Sequence, residues 1–392
     1  MRILQVFNSY LQRGGEEVWV EELPSLLGDS FEVRELRFRS SEWLGPGTPS
    51  KLRQIRWIGD NPHSRSRLRE AVAQWRPDVL LFHNLIPVAS LGLYDEARRL
   101  GLPVAQYLHN FRPFSPSGTL WVNGRVDDAA LRGNSWPEIL GGAWNGSRVK
   151  TAVLAWHLGR LRRSGALDAV KVWIAISAFM RDKFVAAGIP AERIALLPHC
   201  WDAPGTLSSA PEADHYIFLG RLYRSKGVDT LLEAWRMLER RMGGETPRLV
   251  ICGEGPLAPQ VQEAAATSDR IEFAGFVDGE RKQNLLATCR ALIAPSAWWE
   301  PLGLIVHEAY SHARPVIAAR SGGLAETVAH GSTGLIFTPG DAHALAQSVV
   351  DMDHAGSSRR TEMGASGYRW LQENCSPTTW RKEFSRAIRG RG

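Results

Sequence analysis

Short apolar runs alternate with helix-compatible stretches along this chain, and the alternation runs through twice. In the first half, strand-like runs at residues 3–7, 79–83, 103–109 and 171–177 are interleaved with helical patterns at 16–27, 64–75 and 179–187. Strands separated by helices of this length imply βαβ units and a parallel sheet. Residues 111–170, rich in Gly, Pro and Trp, read as a long insertion ending in a basic helix over 149–163. A loop-like stretch at 204–214 follows, and the pattern then restarts. Strands are predicted at 216–219, 248–252, 271–274, 291–294, 315–318 and 334–337, with helices at 228–240, 258–267 and 281–287. Leu231, Leu232, Trp235 and Leu238 form the apolar stripe of the first of these helices. At 392 residues the chain exceeds what one core supports. The expected architecture is two doubly wound α/β domains, 1–203 and 204–375, with a last helix in 376–392 packing back on the first. Tandem domains of this kind place a ligand in the cleft between them, at the carboxyl ends of the strands.

Composition narrows the class further. With 44% hydrophobic and 22% charged residues the balance is globular, which excludes wholesale disorder and fibrous repeats. No run approaches the roughly 20 apolar residues of a membrane-spanning helix. The opening MRILQVFNSY enters a strand directly, so no secretory signal is expected and the chain reads as cytoplasmic. Cys200, Cys252, Cys289 and Cys375 are scattered, without the spacing of a zinc site or a disulfide framework. Net charge is +6, and the excess lies in one half: residues 1–200 hold 26 Lys and Arg against 19 Asp and Glu. Such a surplus suits a phosphorylated substrate, an anionic membrane surface or nucleic acid, against the bland reading of an uneven solvated surface. The arginines are dispersed and match no nucleic-acid-binding motif, so no nucleic-acid partner is expected.

The most informative segment is Pro295-Ser296-Ala297-Trp298-Trp299-Glu300-Pro301-Leu302-Gly303-Leu304-Ile305-Val306-His307-Glu308-Ala309. It follows a predicted strand and opens a helix, with Pro301 suited to the first turn. A helix start there offers free N–H groups to a phosphate. If the segment is helical from Glu300, the eight-residue spacing to Glu308 is about 12 Å and keeps both carboxylates on roughly one face. An isolated pair of this kind is usually two exposed helix glutamates. The surrounding pattern, however, resembles the E-x7-E segment of retaining glycosyltransferases of family 4. Gly220-Arg221-Leu222 with Lys226-Gly227 resembles the G-R-L-x-x-x-K-G segment, and Gly253-Glu254-Gly255-Pro256 the G-x-G-P turn. Phe273-Ala274-Gly275-Phe276-Val277 and Ser321-Gly322-Gly323-Leu324-Ala325-Glu326 resemble two more, in the family's order. In the first half, Arg13-Gly14-Gly15-Glu16-Glu17 resembles the glycine loop after the first strand. His109-Asn110-Phe111-Arg112 resembles the H-N-x-R stretch of exopolysaccharide-type members, and Leu81-Phe82-His83-Asn84 has the same strand-end placement. The chain departs from the pattern in lacking cysteines after Arg112, and in having Pro198-His199-Cys200-Trp201-Asp202 where P-N-G-x-D is usual.

The resemblance implies the GT-B fold, two Rossmann-like domains facing across a cleft, and transfer of a hexose from a nucleotide-diphosphate sugar with retention of configuration. It implies a catalytic group of His109, Arg221, Lys226 and Glu300. It places Gly14, Gly15, Gly220, Gly253, Gly303, Leu304 and Glu308 on the donor, with Glu308 at the ribose and Glu300 at the sugar. Leaving-group charge must be neutralised, and with no D-x-D motif the available cations are Arg221 and Lys226. No metal site and no cofactor are therefore expected. The implied acceptor is a glycan or lipid-linked glycan in polysaccharide biosynthesis. Trp156, Leu158, Arg160, Leu161, Arg162 and Arg163 suggest peripheral contact at the inner face of the cell membrane. The competing classes are a non-catalytic nucleotide-sugar-binding protein and another nucleotide-sugar enzyme such as an epimerase. An NAD-dependent enzyme would need G-x-G-x-x-G after the first strand, which Arg13-Gly14-Gly15 does not supply.

Overall fold

A computed structural model describes residues 1–11, 14–203 and 213–390. Arg13 and most of the 204–214 stretch lie outside the described residues. The chain divides into two compact units. Unit 1 comprises Met1–Asn123, Asp127–His199 and Thr378–Gly392, and unit 2 comprises Gly124–Val126 and Cys200–Pro377.

Unit 1 is built on six parallel strands: β1 (Arg2–Ser9), β2 (Glu32–Arg39), β3 (Val79–Phe82), β4 (Val104–Leu108), β7 (Val170–Ala175) and β8 (Ile194–Leu196). Two-residue strands β5 (Trp121–Val122) and β6 (Arg125–Val126) interrupt the chain after β4. The sheet order is β2-β1-β3-β4-β7-β8, so its sense of winding reverses between β1 and β3. Its helices are α1 (Gly15–Leu27), α2 (Lys51–Gly59), α3 (Pro62–Trp75), α4 (Gly92–Arg99), α5 (Trp136–Gly141), α6 (Arg148–Arg163) and α7 (Ala178–Ala186). The all-apolar β3, Val-Leu-Leu-Phe, is buried along its whole length, as a central parallel strand requires. Strand β2 was not expected from the sequence. Its Glu-Val-Arg-Glu-Leu-Arg-Phe-Arg alternates charge with apolar residues because it is an edge strand, and only Phe38 is fully covered. The basic helix expected at the end of the 111–170 insertion is α6, and the insertion also contains α5, which was not expected.

Unit 2 repeats the plan with β9 (His215–Leu219), β10 (Arg248–Cys252), β11 (Ile271–Gly275), β12 (Leu292–Ala294), β13 (Val316–Ala319) and β14 (Gly334–Phe337). All pair in parallel, in the order β11-β10-β9-β12-β13-β14. This is the Rossmann order, and it reverses between β9 and β12. The helices are α8 (Val228–Met242), α9 (Ala258–Ala266), α10 (Gly279–Thr288), α11 (Leu304–Ser311), α12 (Leu324–Thr327), α13 (Ala342–His354) and α14 (Gly356–Asn374). The α8 stripe Leu231, Leu232, Trp235 and Leu238 is buried against Ile251 and Ile293 of the sheet as part of one core cluster. Helix α15 (Pro377–Arg389) ends the fold. Within unit 1, its Trp380 meets the Trp19 ring edge-on at 5.3 Å, and Phe384 meets Phe31 at 5.6 Å. No described helix is long and apolar enough to cross a membrane.

Candidate active site

In open α/β sheets ligands bind beyond the carboxyl ends of the strands where the order reverses. In unit 2 those ends, β9 and β12, lead into residues 220–227 and 295–303. Gly227 lets the two loops touch. Its φ of +76° is left-handed, and a Cβ there would stand 1.9 Å from the Pro295 carbonyl oxygen. Across the contact, the N–H groups of Ala297 and Trp298 donate to the Ser225 carbonyl at 2.9 and 3.1 Å.

This contact sets Lys226 against Glu300. The Lys226 Nζ donates to Glu300 Oε1 at 2.5 Å, the Ser296 hydroxyl donates to the same oxygen at 2.6 Å, and the Trp298 indole N–H does so at 2.9 Å. The ammonium also lies 5.0 Å from the Trp298 ring centroid. Glu300 is buried. Burial pushes its carboxyl up, but the Lys226 charge and the three hydrogen bonds outweigh it and hold the carboxyl below its usual range. The Glu300 carbonyl is fixed in turn by the Gly323 N–H at 2.7 Å, so the Ser321-Gly322-Gly323 loop braces this residue from behind. At Gly322, with φ +57°, a Cβ would fall 2.2 Å from the Glu300 carbonyl oxygen.

The expectation that Glu300 and Glu308 share a helix face is corrected here. Helix α11 begins at Leu304, after Gly303 at φ +85°. A left-handed residue cannot continue a right-handed helix, so Glu300 belongs to the strand-end loop and only Glu308 to the helix. Glu308 pairs with Lys282 of α10, a partner the sequence did not indicate. Arg221 is exposed, its guanidinium 5.6 Å from the Tyr223 ring centroid. Gly220 and Gly253 follow β9 and β10, donating to the Cys252 and Gly275 carbonyls at 3.1 and 2.8 Å.

Unit 1 carries a second polar cluster where its sheet reverses. Gly14 caps α1, its carbonyl accepting from Glu17 and Val18, and Gly15 begins the helix. A Cβ on Gly14 would meet nothing within 4 Å, so the space above this turn is open. Glu16 is the side chain that motif reading passed over. Its carboxylate accepts from the Tyr10 hydroxyl at 2.8 Å, the Asn110 amide at 3.2 Å and the Asn84 N–H at 3.1 Å, which ties together the ends of β1, β3 and β4. Burial pushes it up to about 7, against the lowering effect of the Tyr10 and Asn84 bonds and of Arg112. A carboxylate directly after a Gly-Gly turn is the signal that could have found it.

His109 follows β4, and its Nε2 lies 2.8 Å from His83 Nδ1. Its ring stacks on Tyr107 at 4.6 Å. Burial lowers His83 to about 3; burial, then the charges of His83 and His199, lower His109 well below its ordinary value. Both rings are neutral near pH 7, so His109 offers a hydrogen bond rather than a cation. His199, where the sequence departs from the usual pattern, stacks flat on Trp19 at 3.9 Å within unit 1. On α6, Leu158 and Leu161 are buried while Trp156 stands exposed with the Arg160 guanidinium 5.9 Å from its ring centroid.

Two parallel six-stranded doubly wound units, each with polar residues gathered at its strand-order reversal, define the GT-B fold. The family profiles agree. The one described as a glycosyl transferase 4-like domain covers residues 11–200, and the one described as glycosyl transferases group 1 covers 213–353. The GDP-mannose-dependent alpha-(1-6)-phosphatidylinositol monomannoside mannosyltransferase of Mycobacterium tuberculosis is 30% identical over 271 residues, covering 63% of this chain and 68% of that protein. Alpha-D-kanosaminyltransferase of Streptomyces kanamyceticus is 27% identical over 262 residues, 65% of this chain and 62% of its own. Among solved structures, Anabaena HepE in complex with UDP superimposes with a TM-score of 0.70 at 17% identity, over 99% of this chain and 100% of that one. The chain belongs to the GT4-type glycosyltransferases.

Proposed function

We propose that the protein transfers a hexose from a nucleoside-diphosphate sugar to an acceptor hydroxyl with retention of configuration, and that it does so without a metal ion. The observation that carries this reading is the Lys226–Glu300 pair, its carboxylate buried among Ser296 and Trp298 and its ammonium partly exposed, at the strand-order reversal of unit 2. A preorganised cation beside a carboxylate suits a ligand with a departing phosphate at one end and hydroxyls at the other. Lys226 and Arg221 act on the diphosphate, Glu300 on the hydroxyls of the sugar, and Glu308 on the ribose, exchanging Lys282 for the hydroxyls. Gly303 and Leu304 present the first turn of α11 to the phosphates, and Gly220 and Gly253 keep neighbouring strand ends free of side chains. From unit 1, Gly14 and Gly15 leave bare backbone for the donor, and His109 offers the sugar a neutral polar contact. In the transfer, the C1–O bond to the diphosphate breaks and a new C1–O bond forms on the same face. The acceptor proton passes to a leaving phosphate oxygen, so no further base is required. The acceptor is a glycan or lipid-linked glycan, which the basic unit 1 meets at an anionic membrane surface. The names of the relatives, a GDP-mannose-dependent enzyme among them, support a nucleotide-sugar donor.

The test is thermal unfolding with UDP-, GDP-, ADP- and TDP-sugars in EDTA. A ligand at 100 times its Kd adds about 2.7 kcal/mol of stability, a shift of a few degrees. One nucleotide series should raise the midpoint in wild-type protein and not in Lys226→Ala. No shift with any donor overturns the reading, and a shift that requires added divalent ion overturns its metal-independent part.

A further inference from the structure

An apolar groove of about 560 Å³ opens on unit 1 between α2, the segment before it and the start of α6. That volume falls in the range of about 300–1,000 Å³ found for ligand sites. Its floor is buried, formed by Trp43, Ile58 and Ile86, whereas its rim leaves Leu11, Leu44 and Val149 largely in solvent, at 63%, 58% and 70% exposure. Three large aliphatic side chains held out at one opening are costly to leave wet and favour an apolar occupant.

Charge at the groove is one-sided. Lys51, Lys150 and Arg112 line it, and no carboxylate stands among its described lining residues. A neighbouring groove on the far side of α2 makes the contrast. It is larger, about 850 Å³, but it includes Asp60 and Asp95, and its Arg65 is already paired with Asp60 and Glu96. The apolar groove therefore selects an occupant that is both hydrophobic and anionic. Its inner end is also placed for the reaction. Arg112 and Ile86 are shared with the walls of the small cavity holding Glu16, His109 and Asn110, and Tyr10, which lines the groove, donates its hydroxyl to Glu16.

We infer that this groove holds the hydrocarbon chain of a phosphate-bearing lipid acceptor, with the chain along Trp43, Ile58 and Val149. Lys51 and Lys150 meet its phosphate, and its sugar end points towards the Glu16–His109 cluster. The inference rests on the sugar-transfer reading and specifies its acceptor.

Isothermal titration with monodecyl phosphate and with decyl maltoside, both below their critical micelle concentrations, tests it. Wild-type protein should bind decyl phosphate saturably and at least tenfold more tightly than decyl maltoside. Leu44→Glu with Val149→Glu, at solvent-exposed sites, should weaken both ligands tenfold or more while leaving the unfolding midpoint in place. Lys51→Glu with Lys150→Glu should weaken only the phosphate. Equal affinity for the two amphiphiles, binding that appears only above the micelle threshold, or indifference to the rim variants overturns the groove. The donor-induced thermal shift is read on the same samples. A retained donor shift with no amphiphile binding refutes the groove alone, and amphiphile binding with no donor shift refutes the donor reading alone.

Discussion

Glu300 is a carboxylate whose ionisation is decided by its neighbours. Burial alone would raise it, and the Lys226 ammonium with two neutral donors reverses the sign. Its stabilising contribution is present above the ordinary carboxylate range and is lost as pH falls through its lowered value. In the proposed reading Lys226 faces the donor phosphates, where negative charge grows as the leaving group departs. Lys226→Ala should lower kcat by about two orders of magnitude or more. With Glu308 on the ribose, as proposed, Glu308→Ala would remove an interaction equal in ground and transition states, and should raise the donor KM with a smaller effect on kcat. Steady-state kinetics of the two variants checks the assignment, and the reverse pattern would exchange the roles. Glu16 has the opposite sign. Its folded value of about 7 lies above its ordinary 4.5, so its contribution is full at low pH and is lost as pH rises through 7. Relative to Glu16→Gln, the wild type should lose about 3 kcal/mol between pH 4.5 and 7.5. Urea unfolding of both proteins at several pH values measures it, and parallel curves would remove Glu16 as a buried titrating group.

At the scale of elements, the Lys226–Glu300 pair depends on a loop–loop contact that one glycine permits. Gly227→Ala puts a methyl group into the Pro295 carbonyl and a side chain at φ +76°. Overpacking and left-handed strain each cost about 1–3 kcal/mol. The variant should unfold at lower urea concentration and lose donor-induced stabilisation together, because the shift that relieves the clash moves Lys226 off Glu300. Loss of stability with full donor response would mean that the loop relaxes elsewhere. Motif order made the strand-end loops legible, since Gly-Arg-Leu and Pro-Ser-Ala-Trp-Trp-Glu each follow an apolar run. The start of α11 was not, because Pro301 suits a helix start and only the left-handed Gly303 moves that start to Leu304. Helices α13 and α14 also escaped sequence reading. Seven of their residues are Gly or Ser, and their helicity comes from packing, as where Gly364 lies against the Ala313 carbonyl.

For the whole molecule, the surplus of positive charge in residues 1–200 is the property with the longest reach. Each Lys or Arg near an anionic lipid surface contributes about 1 kcal/mol, within a Debye length of about 10 Å at 0.1 M salt. Co-sedimentation with phosphatidylserine-containing vesicles should be measurable at 20 mM salt and fall steeply by 300 mM, and Trp156→Glu should weaken it. Retention in the supernatant at low salt would return the basic face of α6 to an ordinary solvated surface.

The sequence by itself determined the two doubly wound units and the identity of most polar residues at their strand ends. Both depend on local order: apolar runs, helix periodicity, and glycines where the backbone must turn. Tertiary structure decided which of those residues meet. Lys226 and Glu300 are 74 positions apart, and Glu16 gathers Asn84 and Asn110 across 68 and 94. Their bonds exist because parallel pairing brings the ends of distant strands to one edge, where burial raises Glu16 and the Lys226 charge with its neighbouring donors lowers Glu300.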